Sequence, residues 1–272
     1  MRYATFFSHL EAEAQVRMQK FGYDRQEALS RTMADSIALG CDGMTMGYTE
    51  LTEENLELVR KNGMRVDLVY WNSRLGYGED GDMLQEVAEK VASTGADVLM
   101  LLPGDNVKDI SIEDAWKNAI PLTQKLVKFC EAVNVHCGME NLGGATCSYS
   151  TVAGVKYYLD HVEGLGSVLD IGNCLWQRQD SLEMWDMMKD KIVAVHAKDL
   201  SLRKVEGVRQ ILSPAGDLLT PLPIGDGDMP LKQLIPMIRD TGFCGSVTME
   251  NDGYPDNMEF LRRSMAFWKS QV

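Results

Sequence analysis

The sequence predicts an α/β fold, a single-domain (β/α)8 TIM barrel over residues 1–272, and three observations carry that expectation. Short apolar runs bounded by Gly, Asp or Asn alternate with longer stretches of helical periodicity. The strand–helix unit recurs about every 34 residues, which is the rhythm of such a barrel. In the second half, four apolar runs close on ionisable residues: Glu140 in VHCGMEN, Asp170 in GSVLDIGN, His196 in IVAVHAKD and Glu250 in GSVTMEND.

Strands are expected near Tyr3–Phe7, Gly43–Met46, Arg65–Tyr70, Val98–Leu102, Val135–Glu140, Ser167–Asp170, Ile192–Lys198 and Ser246–Glu250. Amphipathic helices are expected around Arg25–Leu39, Glu53–Lys61, Met83–Ser93, Ile112–Val133, Thr151–His161, Leu182–Lys189 and Leu231–Asp240, with Asn257–Trp268 closing the barrel. Thr52, Ser150 and Ser181 stand where helix N-caps belong, and Gly40, Gly63, Gly95 and Gly242 where helices end. Leu200–Asp228 breaks the spacing and is expected to be a long loop that closes over substrate. No low-complexity linker or shift of composition marks a second domain.

Composition narrows the function. With 45% hydrophobic and 25% charged residues and a mean hydropathy of -0.19, the chain reads as a soluble globular protein. Its longest apolar stretch, near Val98–Leu102, is too short to span a bilayer, so no membrane role is expected. The N-terminal MRYATFFSHLEAEAQ meets Glu11 and Glu13 too early for a signal peptide, and the expected location is the cytoplasm. Cys41, Cys130, Cys137, Cys147, Cys174 and Cys244 are scattered without a C-x-x-C pair, as reduced core cysteines are. A formal net charge of -13, with no compensating basic stripe, argues against nucleic acid as a partner. The oligomeric state stays open, a homo-oligomer included.

Strand alternation gives the four ionisable residues a common destination. Turning Glu140 toward the barrel axis leaves Cys137 and Met139 for the surrounding helices; Ile192, Ala194, His196 and Lys198 align in the seventh strand, and Ser246, Thr248 and Glu250 in the eighth. Each ionisable residue then lies at the C-terminal end of its strand, where barrel enzymes carry their chemistry. Buried carboxylates need neutralising, and three of them with one imidazole suit a divalent cation. Mn2+ is the expected ion, with Co2+, Mg2+ and Zn2+ as alternatives. Lys198 would offset the remaining negative charge or hold a substrate oxygen. Asn173 would hold substrate or cap a turn, Trp71 would form an apolar wall against a sugar face or pack under a loop, and Arg203 and Arg209 would close over a phosphate or acid. His136, deeper along its strand, is expected in the core, His9 near the mouth, and the PIGDGD glycines in a tight turn ahead of a helix.

The strings ENLGG at Glu140, LDIGN at Asp170, VHAKD at His196, PIGDGDMPL at Pro223–Leu231 and MEND at Glu250 resemble, in order and spacing, the xylose isomerase-like (β/α)8 superfamily. The pattern is similar to that of its sugar phosphate isomerase/epimerase, inosose isomerase or dehydratase and ketose 3-epimerase members. The resemblance implies one divalent metal on Glu140, Asp170, His196 and Glu250, with Glu140 and Glu250 also flanking the reacting carbon as acid and base. Relatives commonly carry His three residues after the Asp ligand; here Asn173 stands there, which changes the substrate contact. The expected activity is isomerisation or epimerisation of a sugar, sugar phosphate or cyclitol by proton transfer next to a carbonyl. The alternatives are a metal-dependent dehydratase, which removes the same proton and expels a β-hydroxyl, and a non-catalytic sugar-binding barrel.

Overall fold

The computed structural model describes residues 1–104, 109–144 and 147–272. Eight strands, β1 (Arg2–Phe6), β2 (Gly43–Gly47), β3 (Arg65–Asn72), β4 (Val98–Leu102), β5 (His136–Glu140), β6 (Gly166–Asp170), β7 (Ile192–Ala197) and β8 (Ser246–Met249), close into a barrel. Every neighbour is parallel and sequential, and β1 pairs with β8 to close the ring. Helices wrap the outside at Arg25–Ala38, Glu53–Lys61, Leu84–Ser93, Ile112–Ala132, Val152–His161, Ser181–Met188, Leu231–Asp240 and Asn257–Gln271. Their starts and ends follow the sequence reading within a few residues. Thr52 caps its helix by accepting from the Asn55 N–H, and Gly40, Gly63, Gly95 and Gly242 all adopt positive φ.

Several local expectations change. The helix Phe7–Phe21, continuous with β1, was not expected; its apolar positions are sparse, with only Phe7, Leu10 and Ala14 buried. Thr151 and Asp180, one residue from the expected sites, are the N-caps. Ser150 and Ser181 instead donate to the carbonyls of Cys147 and Ile171. His136 is exposed rather than in the core, because β5 begins with it at the open N-terminal end of the barrel. The Leu200–Asp228 segment is not a plain loop: it carries a small antiparallel sheet with Asp199–Ser201, Ile211–Leu212 and Leu218–Leu222. Those strands are too short and too mixed to announce themselves by alternation.

Two irregularities set the register of the barrel. Ser167 pairs with Ile192 but Val168 with Ala194, so Val193 is an extra residue in β7 and Ile192 does not share the face of Ala194 and His196 that alternation gave it. Its side chain turns into the floor: a Cβ on Gly138 or Gly166 would lie 2.7 or 2.6 Å from its methyls. Asp67 is the corresponding extra residue in β3, opposite the Met44–Thr45 step. Above the floor, Thr45 and Thr248 hydroxyls meet across the interior at 2.8 Å.

The glycine turn after the small sheet is folded around Asp199. Its carboxylate accepts from the backbone N–H groups of Gly225, Gly227 and Met229 at 2.8, 2.8 and 3.2 Å, and a Cβ on Gly227 would collide with it. Asp199→Ala should strand these donors and cost about 3 kcal/mol. Urea denaturation checks this, and an unchanged midpoint would show that the turn holds without its acceptor.

Candidate metal centre

The barrel register brings the four ionisable strand ends together. Asp170 of β6 lies directly opposite His196 of β7, and His196 opposite Thr248 of β8. The chain continues past β8 with the Glu250 N–H on the Ala197 carbonyl, which keeps Glu250 on the rim. Glu140, Asp170, His196 and Glu250 each offer a ligand atom within 4.8 Å of the others. Three of them are buried, with Asp170 and His196 fully so, and Glu250 is partly open to the mouth.

His196 Nδ1 stands 2.6 Å from Glu140 Oε1 and 3.3 Å from Glu250 Oε2. Lys198 Nζ stands 2.8 Å from Glu250 Oε1, 3.1 Å from Asp170 Oδ2 and 2.9 Å from the Asn173 side-chain oxygen. The lysine is nearly fully buried, and its stem crosses Gly172, where a Cβ would lie 2.5 Å from Lys198 Cγ. Asn141 fixes the neighbouring backbone by donating to the Asp170 carbonyl and accepting from its N–H.

Charge and burial oppose one another throughout the cluster. Burial would neutralise His196, but the Glu140 and Glu250 carboxylates overrule it and raise its pKa to about 10. Burial likewise disfavours the Lys198 ammonium, yet Asp170, Asp252, Glu250 and Glu140 hold it well above the ordinary lysine value. For Glu250, Lys198 and His196 outweigh burial and hold the carboxyl far below its usual range. Asp170 goes the other way: burial drives it well above the usual range despite Lys198.

The residues fit a cation. Among the described residues His196 Nε2 is buried without a hydrogen-bond partner, and Asp170 Oδ2 and Glu250 Oε2 are buried with ion-pair contacts to Lys198 and His196 that lack hydrogen-bond geometry; oxygen and imidazole donors of this kind could hold a metal ion.

Of the other expected site residues, Lys198 and Asn173 join this cluster. Trp71 does not: it is buried with its ring 6.4 Å from that of Tyr48, and it pairs with Leu101 on the helix side of β3. Its neighbour Tyr70 faces the axis instead, 5.9 Å from Phe6. Arg203 also stays away, donating to the Asp226 carbonyl with its guanidinium near Asp228. Sequence reasoning passed over Phe6, whose ring meets His196 edge-on at 5.2 Å, and Asp252, two residues after Glu250. Alternation along β1 and beyond β8 carried both signals. His9 does lie at the mouth, 5.1 Å from Phe6, and burial lowers its pKa to about 4.

A closed parallel barrel with an acidic and imidazole cluster at the C-terminal ends of its strands defines a class of barrel proteins built for chemistry at that mouth. A family model described as xylose isomerase-like TIM barrel matches residues 33–271, and the chain belongs to that family. Among solved structures it is similar to an L-ribulose 3-epimerase, with a TM-score of 0.72 and 13% identity over 99% of this chain and 94% of the other. It is similar to a probable 3-DHS dehydratase involved in petrobactin synthesis from Bacillus anthracis, at 0.71 and 13% over 100% of both chains. A xylose isomerase-like TIM barrel protein from Mycobacterium smegmatis, in complex with magnesium, scores 0.67 at 15% identity over 90% and 88%. At these identities the likenesses speak for the fold. No curated protein matches the chain by sequence.

The cluster yields a test of its own. Lys198→Met leaves Asp170 and Glu250 short of a counterion and should cost about 3 kcal/mol in metal-free protein. Saturating Mn2+ should restore part of that, because an ion bound only by the folded state stabilises it. Urea curves with and without the ion check both, and a variant indifferent to Mn2+ would argue against a cation at these carboxylates.

Proposed function

We propose that the protein is a divalent-metal-dependent isomerase or epimerase acting on a sugar, sugar phosphate or cyclitol by proton transfer next to a carbonyl. The observation that supports this most is the pair Glu140 and Glu250, which reach the same imidazole from strand ends three positions apart in the barrel. The ion, Mn2+ first and Co2+, Mg2+ or Zn2+ as alternatives, would be held by Glu140, Asp170, His196 and Glu250 and would supply an electrophile for the charge developing on a substrate oxygen.

The chain's own groups do the rest. One carboxylate removes the proton from carbon, and the other stands on a different side of the substrate to return it. Return to the opposite face of the same carbon is epimerisation; return to the adjacent carbon is isomerisation. Lys198 keeps Glu250 ionised, the form that can accept a proton, and Phe6 and Tyr70 supply the apolar wall expected of Trp71. We place the enzyme in the cytoplasm, a reading supported by six free cysteines, five of them buried.

Glu140→Gln and Glu250→Gln should each lower turnover by about a hundredfold or more. Metal content must be measured beside the rate, since both residues are proposed ligands. In deuterated water an isomerase or epimerase with an exchanging proton places deuterium on product carbon, whereas a product lighter by one water identifies the dehydratase. Wild-type rates in both variants, with normal metal content, would remove this mechanism, and metal binding without turnover on any ketose, ketose phosphate or inosose would leave a sugar-binding barrel.

A further inference from the structure

The Lys198 ammonium faces more acceptors than it has protons. It donates to the Asn173 side-chain oxygen at 2.9 Å and stands 2.8 Å from Glu250 Oε1. Two further oxygens lie within ion-pair range, Asp170 Oδ2 at 3.1 Å and Asp252 Oδ2 at 4.0 Å. Both are buried, and neither accepts a hydrogen bond from the described residues. An ammonium carries three protons, so of four acceptors one must always go without. The Asp170 side chain is fully buried and that of Asp252 is 28% exposed, which makes Asp252 the outer of the two. The lysine stem is packed on the Gly172 backbone, where a Cβ would meet Lys198 Cγ, Cβ and Cδ at 2.5, 2.8 and 2.9 Å. Only its far end, Cε and Nζ, is left to turn.

We propose that Lys198 is a counter-ion with two positions, one against Asp170 and Glu250 and one against Asp252 and Glu250, and that a divalent cation on Asp170 selects the second. Asp252 is then a positioning residue, which sets the affinity for the ion by receiving the ammonium. This rests on the metal reading of the cluster and adds the group that makes room for the ion. Glu250 can serve both cations, Oε2 for the ion and Oε1 for the ammonium. Asp170 cannot, because its Oδ1 is held by the Asn173 N–H at 2.9 Å and only Oδ2 remains. Two cations on that one oxygen repel, and burial leaves little solvent to screen them. Turning to Asp252 leaves Asp170 to the ion without stranding an ammonium, a heavy cost at this depth. The displacement is about 1 Å, the excess of the 4.0 Å separation over an ordinary ammonium–carboxylate contact.

Calorimetric titration with Mn2+ tests this on wild type, Asp252→Asn, Lys198→Met and the double variant. Asp252→Asn should bind Mn2+ about tenfold more weakly than wild type, and in the Lys198→Met background the same change should shift affinity by less than about threefold. Asp252→Ser and Lys198→Gln repeat the cycle if either first variant folds poorly. Unchanged affinity in Asp252→Asn overturns the proposal. So does a loss of equal size in both backgrounds, the mark of a carboxylate acting by its charge alone. A crystal structure with Mn2+ bound should place Lys198 Nζ within hydrogen-bond distance of Asp252 and out of contact with Asp170 Oδ2; an ammonium still on Asp170 overturns the proposal as well. Wild type that takes up no Mn2+ removes the metal reading and the two-position lysine together, whereas Mn2+ binding without coupling between Asp252 and Lys198 removes the lysine proposal alone.

Discussion

The ammonium of Lys198, set between Asp170 and Glu250, is the contact on which the arrangement of the mouth depends. Neither carboxylate could be brought into this buried position unpaired, because the cost of desolvating a lone charge exceeds what packing returns. To reach them from β7 the lysine stem must pass directly over the turn after β6, and a side chain at Gly172 would occupy that path. The same step presents Asn173 to the ammonium. LDIGN and VHAKD are thus two halves of one device: a glycine that clears the route, an amide that receives the ammonium, and the lysine itself.

The device works only in one register, and the floor of the barrel sets it. With Val193 inserted, Ala194 rather than Val193 pairs with Val168, and two steps further Asp170 meets His196. Because side chains alternate, a register one residue different would turn the imidazole outward among the helices. The extra residue needs room, which Gly138 and Gly166 provide by having no Cβ where the Val193 methyls lie. The chemistry at one end of the barrel is therefore held in place by packing at the other.

These dependencies explain what could be read from the sequence. Strand ends were legible because apolar runs stop where carboxylates and imidazole begin, and alternation correctly turned Glu140, His196 and Glu250 toward one mouth. Alternation applied to the third strand would have chosen Tyr70 over Trp71, since Tyr70 pairs with Gly47 and Met100 on the axis side. The insertions at Asp67 and Val193 were not legible: an extra residue leaves no mark in composition, and it shows only against a paired neighbour. The helix Phe7–Phe21 escaped because a weakly amphipathic sequence gains its helical state mainly from what it packs on. The small sheet in Leu200–Asp228 escaped for the related reason that its strands are short, their pairing fixed by contacts such as the Thr220 hydroxyl on the Arg203 carbonyl.

The turn at PIGDGD extends the same logic to anions. Successive backbone N–H groups converging on one point form a cradle that many proteins use for phosphate. Here the cradle is filled from within by Asp199, and Gly227 has no side chain because that carboxylate lies against it. The backbone donors are committed to the fold, just as Arg178 and Arg203 are committed to neighbouring acceptors. The carboxylate that fills the cradle belongs to the residue after Lys198, so one strand end supplies both the acceptor that holds the glycine turn and the ammonium around which the mouth gathers its carboxylates.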